Sequence, residues 1–234
     1  MRPIDEYHRE MPRGLRARRA ARRDVRRRRR APEEARAELL DAADRVFADW
    51  QPDHVGLKDV AREAGVSHAL ITHYFGTYAG LIEAALERRI RALRERMLEK
   101  LAVPGSLAKP AELLGMLFAA LEDPVHLRLM RWLLASERPS AAYAFGLQHN
   151  GLQLISRRVA EALVDKPTIE LVEKIELTLT TAVASAYGYA LAKYALVGAL
   201  GREASAVLDR QIQETLAGMV RAYVSQELGI TIGA

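Results

Sequence analysis

The chain has 234 residues and no cysteine. That removes disulfide frameworks, thiolate nucleophiles and Cys-ligated zinc from consideration. Aromatic residues are few, with 2 Trp and 4 Phe, and apolar alternation with period 2 is scarce, so no β-rich segment competes with helix. The N-terminus is charged and carries no apolar core of a secretory signal. The uncharged run Leu177 to Ala192 is shorter than the ~20 apolar residues a membrane span needs and contains Thr, Ser and Gly. A cytoplasmic protein with no membrane partner is expected. Catalytic constellations are missing as well: there is no phosphate-cradling Gly-rich loop, no Gly-x-Ser-x-Gly elbow and no apolar-flanked pair of acids. The 6 His residues include no i,i+4 pair, so no metal, no cofactor and no enzyme activity are expected.

What is present is helical. Half of the residues are hydrophobic, enough for a sizeable core in one or two domains. Apolar positions recur at spacings of three and four, which predicts an all-α protein. The net charge of +5 is unevenly spread: residues 1 to 30 hold thirteen Arg against four acids, a net of +9, leaving −4 for the remainder. Arg26, Arg27, Arg28, Arg29 and Arg30 form the densest block. Like-charge runs repel, so residues 1–31 are expected to be a disordered arm that gains order against phosphates or in a minor groove. Residues 31 to 80, with four cations and nine acids, are −5.

The stretch Val55 to Leu81 reads as a helix-turn-helix, about residues 56–75, followed by a longer helix. Gly56 suits the start of a helix whose inner face is Leu57, Val60, Ala61 and Ala64, and Gly65 can end it with positive φ. Ser67 is the N-cap of the next helix, with Val66 placed to staple onto Ile71. Ile71 and Phe75 point inward, which leaves His68, Ala69, Thr72 and His73 facing out. Upstream, Pro32 opens a helix whose apolar face runs Ala35, Leu39, Ala42, Ala43, Val46, Phe47 and Trp50, with Phe47 and Trp50 expected in the core.

These residues carry a resemblance. Leu39-Leu40-Asp41-Ala42-Ala43 with Val46-Phe47, then Asp59 to Ser67, then His73-Tyr74-Phe75 and Leu81 resemble the N-terminal domain of the tetracycline-repressor (TetR) family over residues 33 to 85. The resemblance implies a three-helix DNA-binding domain at 32–85, and a helical ligand-binding and dimerisation domain at 86–234. It implies a homodimeric transcriptional regulator, usually a repressor, whose partners are a double-stranded DNA operator, a second copy and a largely apolar small-molecule effector. On DNA, Ser67, His68, Ala69, Leu70, Thr72, His73 and Tyr74 would face bases and phosphates, with Lys58 and Tyr78 holding the backbone. The sequence departs from the family at Gln51, where Gly is usual, at Thr72, where Tyr is usual, and at Tyr78, where Lys is usual. The last two departures weaken the expected phosphate grip and leave the arm to supply affinity.

After Thr77, a further cap, a helix is expected from Tyr78 to about Val103. Others follow from about Lys109 to Leu121, Pro124 to Ser136, Ser140 to Val164, Thr168 to Leu200 and Glu203 to Leu228. A pocket among the middle helices would draw on Met116, Phe118, Met130, Trp132, Leu133, Tyr143, Phe145, His149 and Tyr187. In this family the last two helices usually pair with their copies, here through Leu179, Val183, Ala186, Ala190, Ile212, Leu216, Met219 and Tyr223. Two other readings fit the same residues: a non-specific nucleic-acid binder driven by the arm, and a binding module whose head no longer reads DNA.

Overall fold

The structure, a computed structural model, describes residues 32–103, 110–136 and 151–229. Among the described residues there are nine α-helices and no strand. The arm at 1–31, with Arg26 to Arg30, lies outside them, as do Tyr143, Phe145 and His149.

The first helix, α1, spans 32–49 and buries Leu39, Leu40, Ala42, Ala43, Val46 and Phe47. Its apolar stripe stops there. Gln51 is extended (φ −69°, ψ 144°) ahead of Pro52, which opens a 3-10 turn over Pro52–His54, as the steric conflict before proline requires. Trp50 therefore falls past the helix and is 58% exposed; the expectation that it belongs to the core is corrected.

Three helices follow closely: α2 (Leu57–Ala64), α3 (His68–Phe75) and α4 (Tyr78–Leu101). Each start is chemically marked. The Asp59 carboxylate accepts from the Gly56 N–H at 2.9 Å. The Ser67 and Thr77 hydroxyls accept from the N–H groups of Leu70 and Gly80, satisfying donors that a helix N-terminus leaves open. Gly65 ends α2 in the left-handed region at φ 68°, where only glycine sits without strain.

The body comprises α5 (Pro110–Leu121), α6 (Pro124–Ala135), α7 (Gly151–Leu163), α8 (Ile169–Ala199) and α9 (Ala206–Leu228). Asp123, Thr168 and Ser205 cap α6, α8 and α9. The Ser205 cap sets the start of α9 at Ala206, three residues beyond the expected Glu203. Helix α8 packs on α5, α6, α7 and α9, and α4 packs on α5, α6 and α7.

One apolar core joins the N-terminal helices to much of the body, and a smaller cluster of Leu114, Ala182 and Ala217 lies between α5, α8 and α9. Leu39, Phe47, Ile71 and Leu81 near the N-terminus join Leu86, Leu117, Leu129, Met130, Leu133 and Ala186 in a single buried cluster. The division expected at residue 85 thus falls inside α4 and inside this core. No helix among the described residues is long and apolar enough to cross a membrane.

Candidate nucleic-acid interface

The outward face of α3 is held from behind. Ile71 is completely buried, and Val66, Tyr74 and Phe75 pack half-buried on the same core. Ser67, His68, Ala69, Leu70, Thr72 and His73 are exposed, as is Lys58 in the first turn of α2. The structure thus brings together on one surface most of the side chains singled out in the sequence. Two of them are already engaged. The Thr72 hydroxyl donates to the His68 carbonyl at 3.0 Å, and the His73 ring meets Tyr74 edge-on at 5.4 Å. Arg36 of α1 lies over the Phe75 ring, 5.4 Å from its centroid.

Position and direction of α3 are fixed at its C-terminal end. Gly76 has φ 69° and ψ −67°, a γ-turn in which the Thr77 N–H donates to the Phe75 carbonyl at 2.7 Å. Gly80, one turn into α4, comes so close that an added Cβ would collide with that same carbonyl oxygen. Helices α3 and α4 can meet at this distance only because position 80 has no side chain.

Tyr78 does not stand as the sequence suggested. Its hydroxyl donates to the Pro52 carbonyl at 2.7 Å, and its ring lies between Phe47 at 6.3 Å and Trp132 at 5.6 Å. Burial, reinforced by the Asp53 and Asp59 carboxylates, pushes its pKa up. The phenolic proton is spent on the protein, so Tyr78 ties the 3-10 turn to α4 rather than reaching for a phosphate. Half-burial and the following helix's geometry account for this: residue 78 is the first of α4, and its side chain folds back over the preceding turn.

Behind the interface, α4 and α6 stitch the N-terminal helices to the body. Arg128 of α6 donates to the carbonyls of Phe47 at 2.9 Å and Ala48 at 2.6 Å, meeting the partial negative charge at the end of α1. Arg89 of α4 lies 3.3 Å from Asp44 and 3.6 Å from Asp123. Arg88 pairs with Asp41 at 2.5 Å and with Asp44. Nearby, buried His126 places Nε2 2.9 Å from the Tyr187 hydroxyl. Burial lowers the His126 pKa to about 4, with Asp123 opposing and Arg89 adding to the effect. The sequence reading missed His126 and Arg128, because neither stands in a motif and their partners lie 61 and 80 or more residues away.

The side chains expected to line a pocket divide: Phe118 borders a cleft between α5, α6, α8 and α9, and others sit in the core. Met130 and Leu133 are fully buried in the core, and Met116 and Trp132 pack against it. Tyr187 is spent on His126. An apolar cavity does exist, but between α4, α5, α7, α8 and α9, where Met97, Leu117, Ile155 and Leu179 are among its walls. Among the described residues, none of the side chains expected to line a pocket borders this cavity.

The expected dimer residues divide. Met219 is 64% and Tyr223 43% exposed, whereas Ala186 is fully buried within the chain. Leu179 and Val183 line the inner cavity, and Ala190, Ile212 and Leu216 are half-buried. Counting threes and fours along α8 chose its inward stripe, because both stripes of this helix are apolar. Its outward stripe carries Leu177, Ala184, Gly188, Ala192 and Leu196, all exposed.

Fold and surface together define a helix-turn-helix domain carried on an all-helical body. Residues 39–85 match the family described as bacterial regulatory proteins, tetR family. Over 74 residues the chain is 34% identical to an uncharacterised HTH-type transcriptional regulator, Rv1255c, of Mycobacterium tuberculosis, covering 32% of this chain and 35% of that one. It is 32% identical over 100 residues to the HTH-type transcriptional regulator BetI of Cronobacter sakazakii, covering 42% and 50%. The matches thus span about a third to a half of these curated relatives. A TetR-family transcriptional regulator from Streptomyces coelicolor shares the fold, with a TM-score of 0.58 over 82% of this chain and 81% of that one, at 21% identity. Residues 39–85 thus carry the N-terminal segment of the TetR family, and the body shares the fold of a TetR-family structure.

Proposed function

We propose that the protein is a homodimeric transcriptional regulator, acting as a repressor, that reads a near-palindromic DNA operator through α3 and releases it when a small molecule occupies the body. The observation that carries this is the pairing of the exposed row His68, Ala69, Leu70, Thr72 and His73 with a fully buried Ile71 behind it, within a segment matched to a DNA-binding family. A short helix held so firmly can enter a major groove with its outer row against base edges. Lys58 and the hydroxyls beside it would contact phosphates, and Leu70 a thymine methyl.

The second copy would sit on the outward stripes of α8 and α9, where Leu177, Leu196, Met219 and Tyr223 are exposed. Large apolar side chains in contiguous rows favour burial against an equivalent surface. The arm, with Arg26 to Arg30, would add sequence-independent affinity for the backbone, offsetting the net −5 of residues 31 to 80.

The test is a salt titration of DNA binding by the full chain and by a form beginning at Ala31, on the DNA upstream of its own gene and on a scrambled duplex. The reading expects the truncated form to keep its preference for the upstream DNA, with a shallower dependence on salt. Each lost phosphate contact should reduce the slope by about 0.9. Equal binding to both duplexes by both forms, with a steep slope for the full chain alone, would favour a non-specific binder driven by the arm.

A further inference from the structure

We infer that the cavity between α4, α5, α7, α8 and α9 takes a plain hydrocarbon, a saturated chain or ring without a hydrogen-bonding group. The inference rests on reading the body as the effector-binding part, and deepens it by naming the chemistry of the effector.

The walls carry the argument. Met97 and Leu101 come from α4, Leu117 from α5, Ile155 from α7 and Leu179 from α8, and the other lining side chains are also aliphatic, with one exception. The exception is Thr178, whose hydroxyl donates to the Lys174 carbonyl at 2.7 Å within its own helix. Every described wall belongs to a helix, so most backbone polar groups there are bonded within their own helices; Leu101 and Leu163, the last residues of α4 and α7, also line the space. A hydroxyl, amide or carboxylate entering this space would leave its water shell for a lining that is almost wholly apolar, at a cost that few contacts there could offset. A cation would meet neither an acid nor an aromatic face, since no Asp, Glu, Phe, Tyr or Trp lines the cavity. Branched and linear CH groups are the one chemistry the walls complement.

The position also suits a regulator. Met97 and Leu101 lie near the C-terminal end of α4. The same helix begins at Tyr78, directly after the turn that fixes α3, and touches the Phe75 carbonyl through Gly80. A molecule pressing between α4 and α8 pushes on a rigid element that ends at the proposed reading helix.

The experiment uses the full chain with the hydrocarbon fluorophore 1,6-diphenyl-1,3,5-hexatriene as probe, displaced by n-alkanes of increasing length and by the matching 1-alkanols and fatty acids. A rise in probe emission is expected. Alkane dissociation constants should fall about fourfold per added CH2 until the cavity is full, and each 1-alkanol should bind about tenfold or more weakly than its alkane. Val159 of α7 also lines the cavity, so Val159→Phe, which fills it, should abolish probe binding while the far-UV circular dichroism stays unchanged; the comparison of alkane with alkanol needs no variant. Absence of probe binding, or alkanols and acids that bind better than alkanes, would overturn the inference. DNA affinity is measured in parallel on the upstream duplex. Alkane binding that leaves DNA affinity unchanged supports the cavity assignment and removes the effector reading; sequence-specific DNA binding with an unresponsive cavity leaves the regulator and removes the hydrocarbon.

Discussion

The Arg128 guanidinium and the Ala48 carbonyl stand 2.6 Å apart, so a cation from the body closes the C-terminal end of the first helix. With the neighbouring Phe47 carbonyl also accepting at 2.9 Å, one side chain satisfies two backbone groups. Arg128→Met keeps the aliphatic stem and removes both bonds. The expected loss is about 1 to 3 kcal/mol, the range for a charged hydrogen bond whose partner is left partly buried. Urea denaturation followed by circular dichroism reads it, and an unchanged midpoint would mean that water replaces the guanidinium without cost.

Gly80 makes the complementary prediction for the other side of the interface. Gly80→Ala adds a methyl group where the Phe75 carbonyl already sits. The outcome is a displaced α3 at a cost of about 1 to 3 kcal/mol, as for other overpacked sites. Affinity for the upstream DNA should fall by more than the change in stability accounts for. Wild-type affinity in a folded Gly80→Ala protein would refute the contact's role in aiming α3.

His126 predicts a pH dependence with a definite sign. Its folded pKa of about 4 lies below the ordinary value of about 6.5. As pH falls through 6.5 the unfolded chain takes up a proton that the folded chain refuses, so stability is lost progressively down to about pH 4 and is fully present above 6.5. The full effect is on the order of 3 kcal/mol. In His126→Gln the pH-dependent part of this loss should vanish, which thermal melts at pH 7 and pH 5 would register as a smaller gap than in the wild type.

The outer row of α3 predicts separation of reading from stability. His68→Ala and His73→Ala are expected to reduce discrimination between the upstream and scrambled duplexes, by about 1 to 3 kcal/mol for a side chain that contacts a base edge. Melting temperatures should stay close to wild type, because both residues are exposed. Unaltered discrimination in both variants would instead favour a head that has lost its DNA-reading role.

For the outward stripes of α8 and α9, Leu196→Glu with Tyr223→Glu is expected to give a folded monomer in sedimentation velocity. Both side chains are exposed in the single chain, at 49% and 43%, so the change carries little cost within it. A dimer that survives both charges would move the interface elsewhere.

The sequence was most legible where local chemistry decides the backbone. Gly65, Ser67 and Thr77 mark helix ends through effects that reach only three or four residues, and each sits where its type predicted. Amphipathic helices of the first 50 described residues have one apolar face, so Leu39, Val60 and Ile71 could be assigned to the core directly. Legibility failed where two faces are apolar, as on α8, and where long-range pairing decides a side chain's role. Tyr78 has a polar tip and an apolar body, and only the position of Pro52, 26 residues away, settles which end dominates. The cavity was equally hidden: Met97, Ile155 and Leu179 sit on helices remote in sequence, and each looks like ordinary core until the others are in place.

Gly80 and Ile71 hold α3 from within, while His68, Ala69 and Leu70 make up its solvent side without supporting the frame. The two sets share no residue. Exchanging the solvent side for that of another short recognition helix therefore leaves the scaffold's foundations untouched, so this head is built as a socket into which a different specificity can be grafted.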